Sequence, residues 1–259
     1  MTTAAAEESI GSRVRAYWDA HIHDLAITEH PVGTPGFFAD LDQYHFEKLH
    51  HLLQVVDFPA QRNRRVLDVG CGAGVDLVRF AAAGARVAGV DLSANAIRLA
   101  AQNLSQQGLD AKLAVADGEA LPFRSESFDY VFAHGVLQYT GNARRLVEEV
   151  RRVLSPGGTA FFQVYNRRSW LNALSKLMKV DLEHEDAPVL RKYAPREFES
   201  LLDGFRGVRL ITERFPVKTR LHKGWKGAAF NSLFVGTFNA LPRRWTRRLG
   251  WHLLAVCRK

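Results

Sequence analysis

Only two cysteines occur among 259 residues, Cys71 and Cys257. That scarcity excludes a disulfide scaffold, and without a CxxC pair or other ligand spacing no metal is expected; the thiols should stay reduced in a cytoplasm. No apolar run approaches the ~20 residues of a bilayer span. Met1 to Ser9 hold two glutamates and lack the basic-then-apolar pattern of a secretory signal. Repeats and low-complexity tracts are missing, and acids are missing after Glu213. Eleven of the 35 Lys and Arg follow that residue, so the first 213 residues carry −3 and the basic C-terminal stretch sets the net +8. Such a stretch suits phosphates, an anionic membrane surface or an acidic substrate, or is a solvated basic face. A hydrophobic content of 47% with 10% aromatics excludes a disordered chain, and a chain of this length can bury a full core as one globular unit.

What is present is a strand-and-glycine signature. Val66-Leu67-Asp68-Val69-Gly70-Cys71-Gly72-Ala73-Gly74 reads as a buried strand turning sharply into a helix. The glycines let the backbone pass where a Cβ would collide or hold φ out of the required region. Val87-Ala88-Gly89-Val90-Asp91 reads as the next parallel strand. In open α/β sheets ligands lie beyond the carboxyl ends of strands, so Asp91 is placed to accept from ribose hydroxyls. A dinucleotide fingerprint, G-x-G-x-x-G, would need its third small residue at position 75. That position is Val75, and the glycine comes one residue early at Gly74. The loop is D-x-G-x-G-x-G, whose leading Asp68 suits a ligand with an ammonium group and suits a pyrophosphate badly.

Further pieces follow in order: Leu113-Ala114-Val115-Ala116-Asp117-Gly118, Ala120-Leu121-Pro122-Phe123, Phe128 to His134, Leu137-Gln138-Tyr139, and Leu154-Ser155-Pro156-Gly157-Gly158 before a strand from Thr159 to Tyr165. With the glycine loop, these resemble the class I S-adenosylmethionine-dependent methyltransferases, over residues 60 to 166, and within them the ubiquinone/menaquinone-biosynthesis-like (type 11) subgroup. That subgroup often carries Leu-His-His where this chain has Leu137-Gln138-Tyr139. The resemblance implies an α/β, Rossmann-like doubly wound sheet of seven strands, the last antiparallel, with helical lid additions. It implies S-adenosyl-L-methionine as cofactor, held by Tyr17, Asp68, Gly70, Cys71, Gly72, Gly74, Asp91, Leu92, Asp117, Gly118, Glu119 and His134. Asp117 would take the adenine amine, as the family's third-strand acid does.

The expected organisation is an N-terminal helical lid over 1–58 and a methyltransferase domain over 59–259. Within the latter lie the cofactor half, 60–166, and substrate-side insertions at 167–193 and 217–248. Ile10, Val14, Tyr17, Trp18 and Ile22 recur at helical spacing, and a second helix is expected from Phe37 to Val56. Trp170, Leu171, Leu174, Leu177 and Met178 form a stripe in the first insertion; Ala229, Phe230, Leu233, Phe234, Phe238 and Leu241 form one in the second, followed by Arg243, Arg244, Arg247 and Arg248. Val208 to Phe215 and Trp251 to Cys257 read as the last two strands. The candidate bases are His134, His21 and His23, histidine being the side chain that titrates near neutrality; His134 has a second reading, lining the methionine end of the cofactor. His21, His23 and Asp24 do not make a metal site, because i and i+2 do not share a helix face. The expected function is methyl transfer to a small aromatic or lipophilic acceptor, with an NAD-dependent oxidoreductase and a non-catalytic adenosylmethionine-binding protein as alternatives. Nucleic acid is not an expected partner, since Ala133-His134-Gly135-Val136-Leu137 lacks the Asn/Asp-Pro-Pro-aromatic stretch of the enzymes that methylate adenine.

Overall fold

Strands buried on both faces need near-continuous apolar sequence, and the core of this chain supplies it. In the structure, a computed structural model, residues 9–21, 27–178, 182, 184–214, 232, 235–242 and 246–259 are described. Ile22, His23 and Asp24, the stripe residues Ala229, Phe230, Leu233 and Phe234, and Arg243, Arg244 and Trp245 lie outside them. The parallel strands are β1 (Arg65–Val69), β2 (Arg86–Asp91), β3 (Lys112–Val115), β4 (Phe128–His134) and β5 (Leu154–Asn166). Two further long strands are β7 (Arg206–Glu213) and β8 (His252–Arg258), and a two-residue β6 (Lys192–Tyr193) lies between them and β5 in sequence. The order is β3-β2-β1-β4-β5-β8-β7, with β8 antiparallel to both neighbours. The expected seven-stranded doubly wound sheet forms. The unanticipated β6 pairs with Tyr165 and Asn166, continuing alongside β5 where β4 has ended.

Alternation along β1 separates the two cores. Leu67 and Val69 face α6 (Ala143–Val153) and α8 (Pro195–Leu201), meeting Leu146, Val150 and Phe198. Val66 faces the other way, toward α4 (Val75–Ala82) and α5 (Ala94–Gln106), with Phe80, Leu99 and Phe132. Phe37, Phe38 and Leu41 of α2 (Pro35–Lys48) join this second cluster, so the segment before β1 shares its core with the sheet. Thr34 starts α2 by accepting from the Phe37 N–H, with Pro35 at the first helical position. α1 (Ile10–Ala20) is capped by Ser9.

The second helix departs from expectation: α2 ends at Lys48 and a single turn, α3 (Leu52–Val55), follows. Leu49, His51 and Leu52 are all buried. A continuous helix turns about 200° between positions 49 and 51, so it would expose one of them; the break buries all three. A second departure is in β5. Residues 155–158 loop out opposite Asp129, because Phe128 pairs with Leu154 and Tyr130 with Thr159. The Pro156-Gly157-Gly158 turn is thus a wide bulge inside one strand, with Gly157 at φ +73. Arg65 clamps it, donating to Asp129 Oδ1 at 2.6 Å and Ser155 Oγ at 2.8 Å.

His51 is 1% exposed and neither ring nitrogen has a hydrogen-bond partner. Burial, helped by neighbouring positive charge, pushes its pKa down to about 3, and the buried His252 beside it is also held well below its usual value. Neutral imidazoles stabilise the fold above the ordinary histidine range. That contribution is lost as pH falls from about 6.5 toward the depressed values. Replacing His51 by leucine removes an unsatisfied buried polar group, which should stabilise by about 1–3 kcal/mol at neutral pH. It should also flatten the acid limb of a urea-midpoint-against-pH curve. A less stable variant at pH 7.5 would refute this.

Candidate active site

The glycine turn leaves β1 with three left-handed residues: Gly70 at φ +72, Gly72 at +53 and Gly74 at +80. Gly70 and Cys71 donate to Val90 O at 2.7 and 3.0 Å, fastening the turn to β2. A Cβ on Gly70 would collide with Val136, whereas one on Gly72 meets nothing within 4 Å and projects into open cavity. Gly74 is different. It does not line the cavity, and its Cβ would lie 3.0 Å from that of Ala100. Its job is to let α4 start against α5, a packing role in place of the expected ligand contact.

Around this opening stand the carboxylates at the ends of the first three strands. Asp91 Oδ2 accepts from the Gly72 N–H at 2.9 Å, and its Oδ1 from the Ser93 N–H at 2.9 Å. Burial raises its pKa despite these donors. Asp68 is 2% exposed, and burial pushes its carboxyl well above the usual range, with Asp76 and Asp91 adding repulsion. Asp117 Oδ1 accepts from the Glu119 N–H at 2.9 Å. Glu119 in turn accepts from Thr140 Oγ1 and the Asn142 N–H at 2.5 and 2.7 Å. Leu92, Gly118, Cys71 and His134 line the same cavity. The Cys71 thiol is raised far above its ordinary value by burial, which makes it inert.

α1 closes one side, with Gly11, Val14 and Trp18 on the cavity. It is anchored to the start of α5: Asp19 Oδ1 accepts from Ser93 Oγ at 2.7 Å, and Asn95 Nδ2 donates to Asp19 O at 3.1 Å. Tyr17 and His21, expected at the ligand, are elsewhere. Tyr17 Oη donates to Asp186 Oδ1 at 2.8 Å and lies 3.1 Å from His184 Nδ1. The His21 ring is exposed and stacks on Tyr17 at 4.3 Å. The correction has a simple cause: Val14 and Trp18 are four residues apart and share a face, so Tyr17 and His21, also four apart, face the next sector. Tyr17 binds the insertion after β5, whose start is α7 (Trp170–Met178), and His21 packs on Tyr17. The far end of that insertion is sewn to the loop after β4, Arg191 N donating to Gln138 O at 2.8 Å. His23 falls outside the described residues.

Sequence reasoning missed three groups here. His45 of α2, Asp76 in the first turn of α4 and His252 of β8 all line the cavity beside His134. Asp76 Oδ2 lies 3.3 Å from His45 Nε2 and 3.8 Å from His134 Nδ1. Burial opposes ionisation of Asp76, yet its pKa is lowered, the largest favourable contribution coming from His45. Arg214 Nη1 lies 3.1 Å from His252 Nε2. The carboxamides of Gln138 and Gln163 are 1% exposed; neither Gln138 Oε1 or Nε2 nor Gln163 Nε2 has a hydrogen-bond partner. Asp76 had one legible signal, an acid two residues past the last glycine, in a helical turn that faces the ligand side.

Comparison with known proteins gives matches in sequence and in fold. Residues 67–162 match the family described as a methyltransferase domain. A ubiquinone biosynthesis O-methyltransferase of Thiobacillus denitrificans is 35% identical over 142 residues, covering 52% of this chain and 59% of that one. A sterol 4-C-methyltransferase of Caenorhabditis elegans is 33% identical over 106 residues, 40% of this chain and 31% of that one. The chain therefore spans less than two thirds of the length of either. A crystal structure of an S-adenosylmethionine-dependent methyltransferase from Mesorhizobium loti superposes with a TM-score of 0.57. It covers 82% of this chain and 97% of the other at 21% identity, which speaks for the fold alone.

Proposed function

We propose that this chain, on the match of residues 67–162 to a methyltransferase domain, is a class I S-adenosylmethionine-dependent methyltransferase and that it moves a methyl group to a small aromatic or lipophilic acceptor. The residues fit the cofactor that the family and fold imply. The observation that carries this reading is the series Asp68, Asp91 and Asp117 at successive strand ends, set around a glycine whose missing Cβ opens the cavity. Asp68 would take the ammonium group, Asp91 the ribose hydroxyls, and Asp117 with Leu92, Gly118 and Glu119 the adenine. Gly70 and Gly72 would give backbone room, with Cys71 and His134 at the methionine end. When bound, S-adenosylmethionine supplies a methyl group already activated on a sulfonium.

The protein's own part is then positional. Trp18 of α1 and the tyrosine pair Tyr139–Tyr165, joined Oη to Oη at 3.0 Å, exclude water from one side of the cavity. Holding donor and acceptor in line is worth about 7–11 kcal/mol of barrier in well-oriented reactions. The acceptor's flat or greasy body suits Trp18, Leu41, Leu49 and Tyr139. Its polar group suits the unpartnered Gln138 carboxamide and Gln163 Nε2, since buried donors and acceptors left unmade are costly. His134 sits where a proton leaving the acceptor would be received, at the end of β4. His21 is too remote for that part. Candidate relatives methylate different atoms, as their names state, so the acceptor atom does not follow from kinship.

An NAD-dependent oxidoreductase is not favoured, because Val75 occupies the position where its fingerprint needs a small residue. No helix among the described residues is long and apolar enough to cross a membrane; a cytoplasmic location is part of this proposal. The direct test is calorimetric titration with S-adenosylhomocysteine and, in parallel, NADH. Binding of the first alone, at one equivalent per chain, is the expected result. Binding of NADH alone would overturn the assignment.

A further inference from the structure

We propose that His45, Asp76 and His134 bind a divalent transition-metal ion of the zinc class on the acceptor side of the cavity. The three donors come from α2, α4 and the end of β4, and their ligand atoms lie within 4.8 Å of one another. Their side chains are 15%, 10% and 13% exposed, so the group is shielded yet open to the cavity. The His45 and His134 rings stand at 83° to each other with centroids 5.8 Å apart, and both approach the same carboxylate oxygen. Bonds of about 2.0–2.1 Å at tetrahedral angles place neighbouring donor atoms about 3.3 Å apart. The His45–Asp76 pair already has that separation, at 3.3 Å, and His134 closes from 3.8 Å by a small side-chain rotation.

A second observation points to a missing partner. Asp76 is 8% exposed, and its Oδ1 has no hydrogen bond; His45 Nε2, though near Asp76, also lacks one of acceptable direction. Buried polar atoms in folded proteins are nearly always paired. A cation between the three groups would give the Asp76 carboxylate and His45 Nε2 the partner they lack. Two imidazoles and one carboxylate suit zinc, cobalt, nickel, manganese or ferrous ions, and suit calcium or magnesium poorly. Spacing along the sequence could not reveal these ligands, because positions 45, 76 and 134 lie on three different elements; the expectation of no metal is revised accordingly.

Three protein ligands leave a coordination position facing the cavity, the arrangement of catalytic rather than structural sites. The inference rests there on the proposed methyl transfer. Held at that position, an acceptor hydroxyl or thiol would give its proton to solvent, with His134 serving as a ligand instead of the proton acceptor. Its lone pair forms the bond to methyl, while the methyl–sulfur bond breaks and its electron pair stays on sulfur.

The test uses the full chain without a histidine tag, stripped by chelator and titrated with Co2+ while visible absorption is recorded, then with Zn2+ in competition. One equivalent per chain with a ligand-field spectrum displaced by zinc is expected. His45→Gln and Asp76→Asn should each weaken Co2+ binding about a hundredfold or more, with circular dichroism checking that both remain folded. S-adenosylhomocysteine affinity of His45→Gln should be unchanged, which separates this proposal from the cofactor assignment. Absence of a one-equivalent site, or equal Co2+ affinity in wild type and both variants, would overturn it and leave the trio as a proton relay.

Discussion

The Asp91→Ala variant is expected to bind S-adenosylhomocysteine at least about a hundredfold more weakly than the wild type, with a thermal midpoint only a few degrees changed. The magnitude follows from counting hydrogen bonds. A carboxylate accepting from two ribose hydroxyls loses about 1.5–3 kcal/mol for each when removed, and 1.4 kcal/mol is a factor of ten. Asp91 also holds the Gly72 N–H, so alanine loosens the turn that borders the cavity. Stability should change little because burial already disfavours the ionised carboxyl, as its raised pKa shows. Asp91→Asn keeps one acceptor oxygen and should fall between the two. Calorimetry and thermal unfolding on the same preparations check both halves; an alanine variant within threefold of wild-type affinity would remove Asp91 from the ribose.

The second large effect is a pH dependence carried by Asp68. In the unliganded protein its carboxyl titrates well above the usual range, chiefly through burial and then through Asp76 and Asp91. An acid whose folded pKa exceeds its unfolded one stabilises the fold in its protonated form. That contribution is complete below the ordinary carboxylate range and is lost as pH rises through the raised pKa. A ligand ammonium beside Asp68 favours the carboxylate, so affinity for S-adenosylhomocysteine should rise with pH, by at most about tenfold per unit, and level off above the raised pKa. Asp68→Asn should bind weakly and show no such rise. Stability against pH is best compared as wild type minus variant, because the buried His51 and His252 act in the opposite sense over part of the range. An unchanged affinity profile in the variant would refute the assignment.

The βα core was legible because backbone constraints write themselves into residue type. Gly70 and Gly72 adopt conformations other residues resist, and strands buried on both faces have to be apolar. What depended on facing was less legible. Tyr17 and Trp18 look equivalent along the chain, yet only Trp18 reaches the cavity. Gly74 belongs to the same glycine run as Gly72 but serves a helix contact. His45 and His252 gave no signal, since each is one polar residue within an otherwise apolar face, and their meeting with Asp76 and His134 is set by tertiary packing. The break after Lys48 was hidden for a similar reason: helical periodicity cannot tell that Leu49, His51 and Leu52 will all be buried. The membrane reading of the basic stretch falls largely outside the described residues, Arg243 and Arg244 among them.

Strand β8 has a bearing on how the chain is made. It is synthesised after both of its partners, yet it lies between β5 and β7 and hydrogen-bonds to each along most of its length. While residues 252–258 are still to be added, the nascent chain presents two unpaired strand edges, one of them running through Phe161, Phe162 and Val164. Exposed apolar edges are templates for association between chains, and long-range pairing is slow to form. A stalled ribosome, or a stop codon just before His252, should therefore yield an aggregating product although the cofactor-binding half has already been translated. The codons for residues 252–258 act as the latch on vectorial folding, and holdase chaperones should be needed most in the interval before they are read.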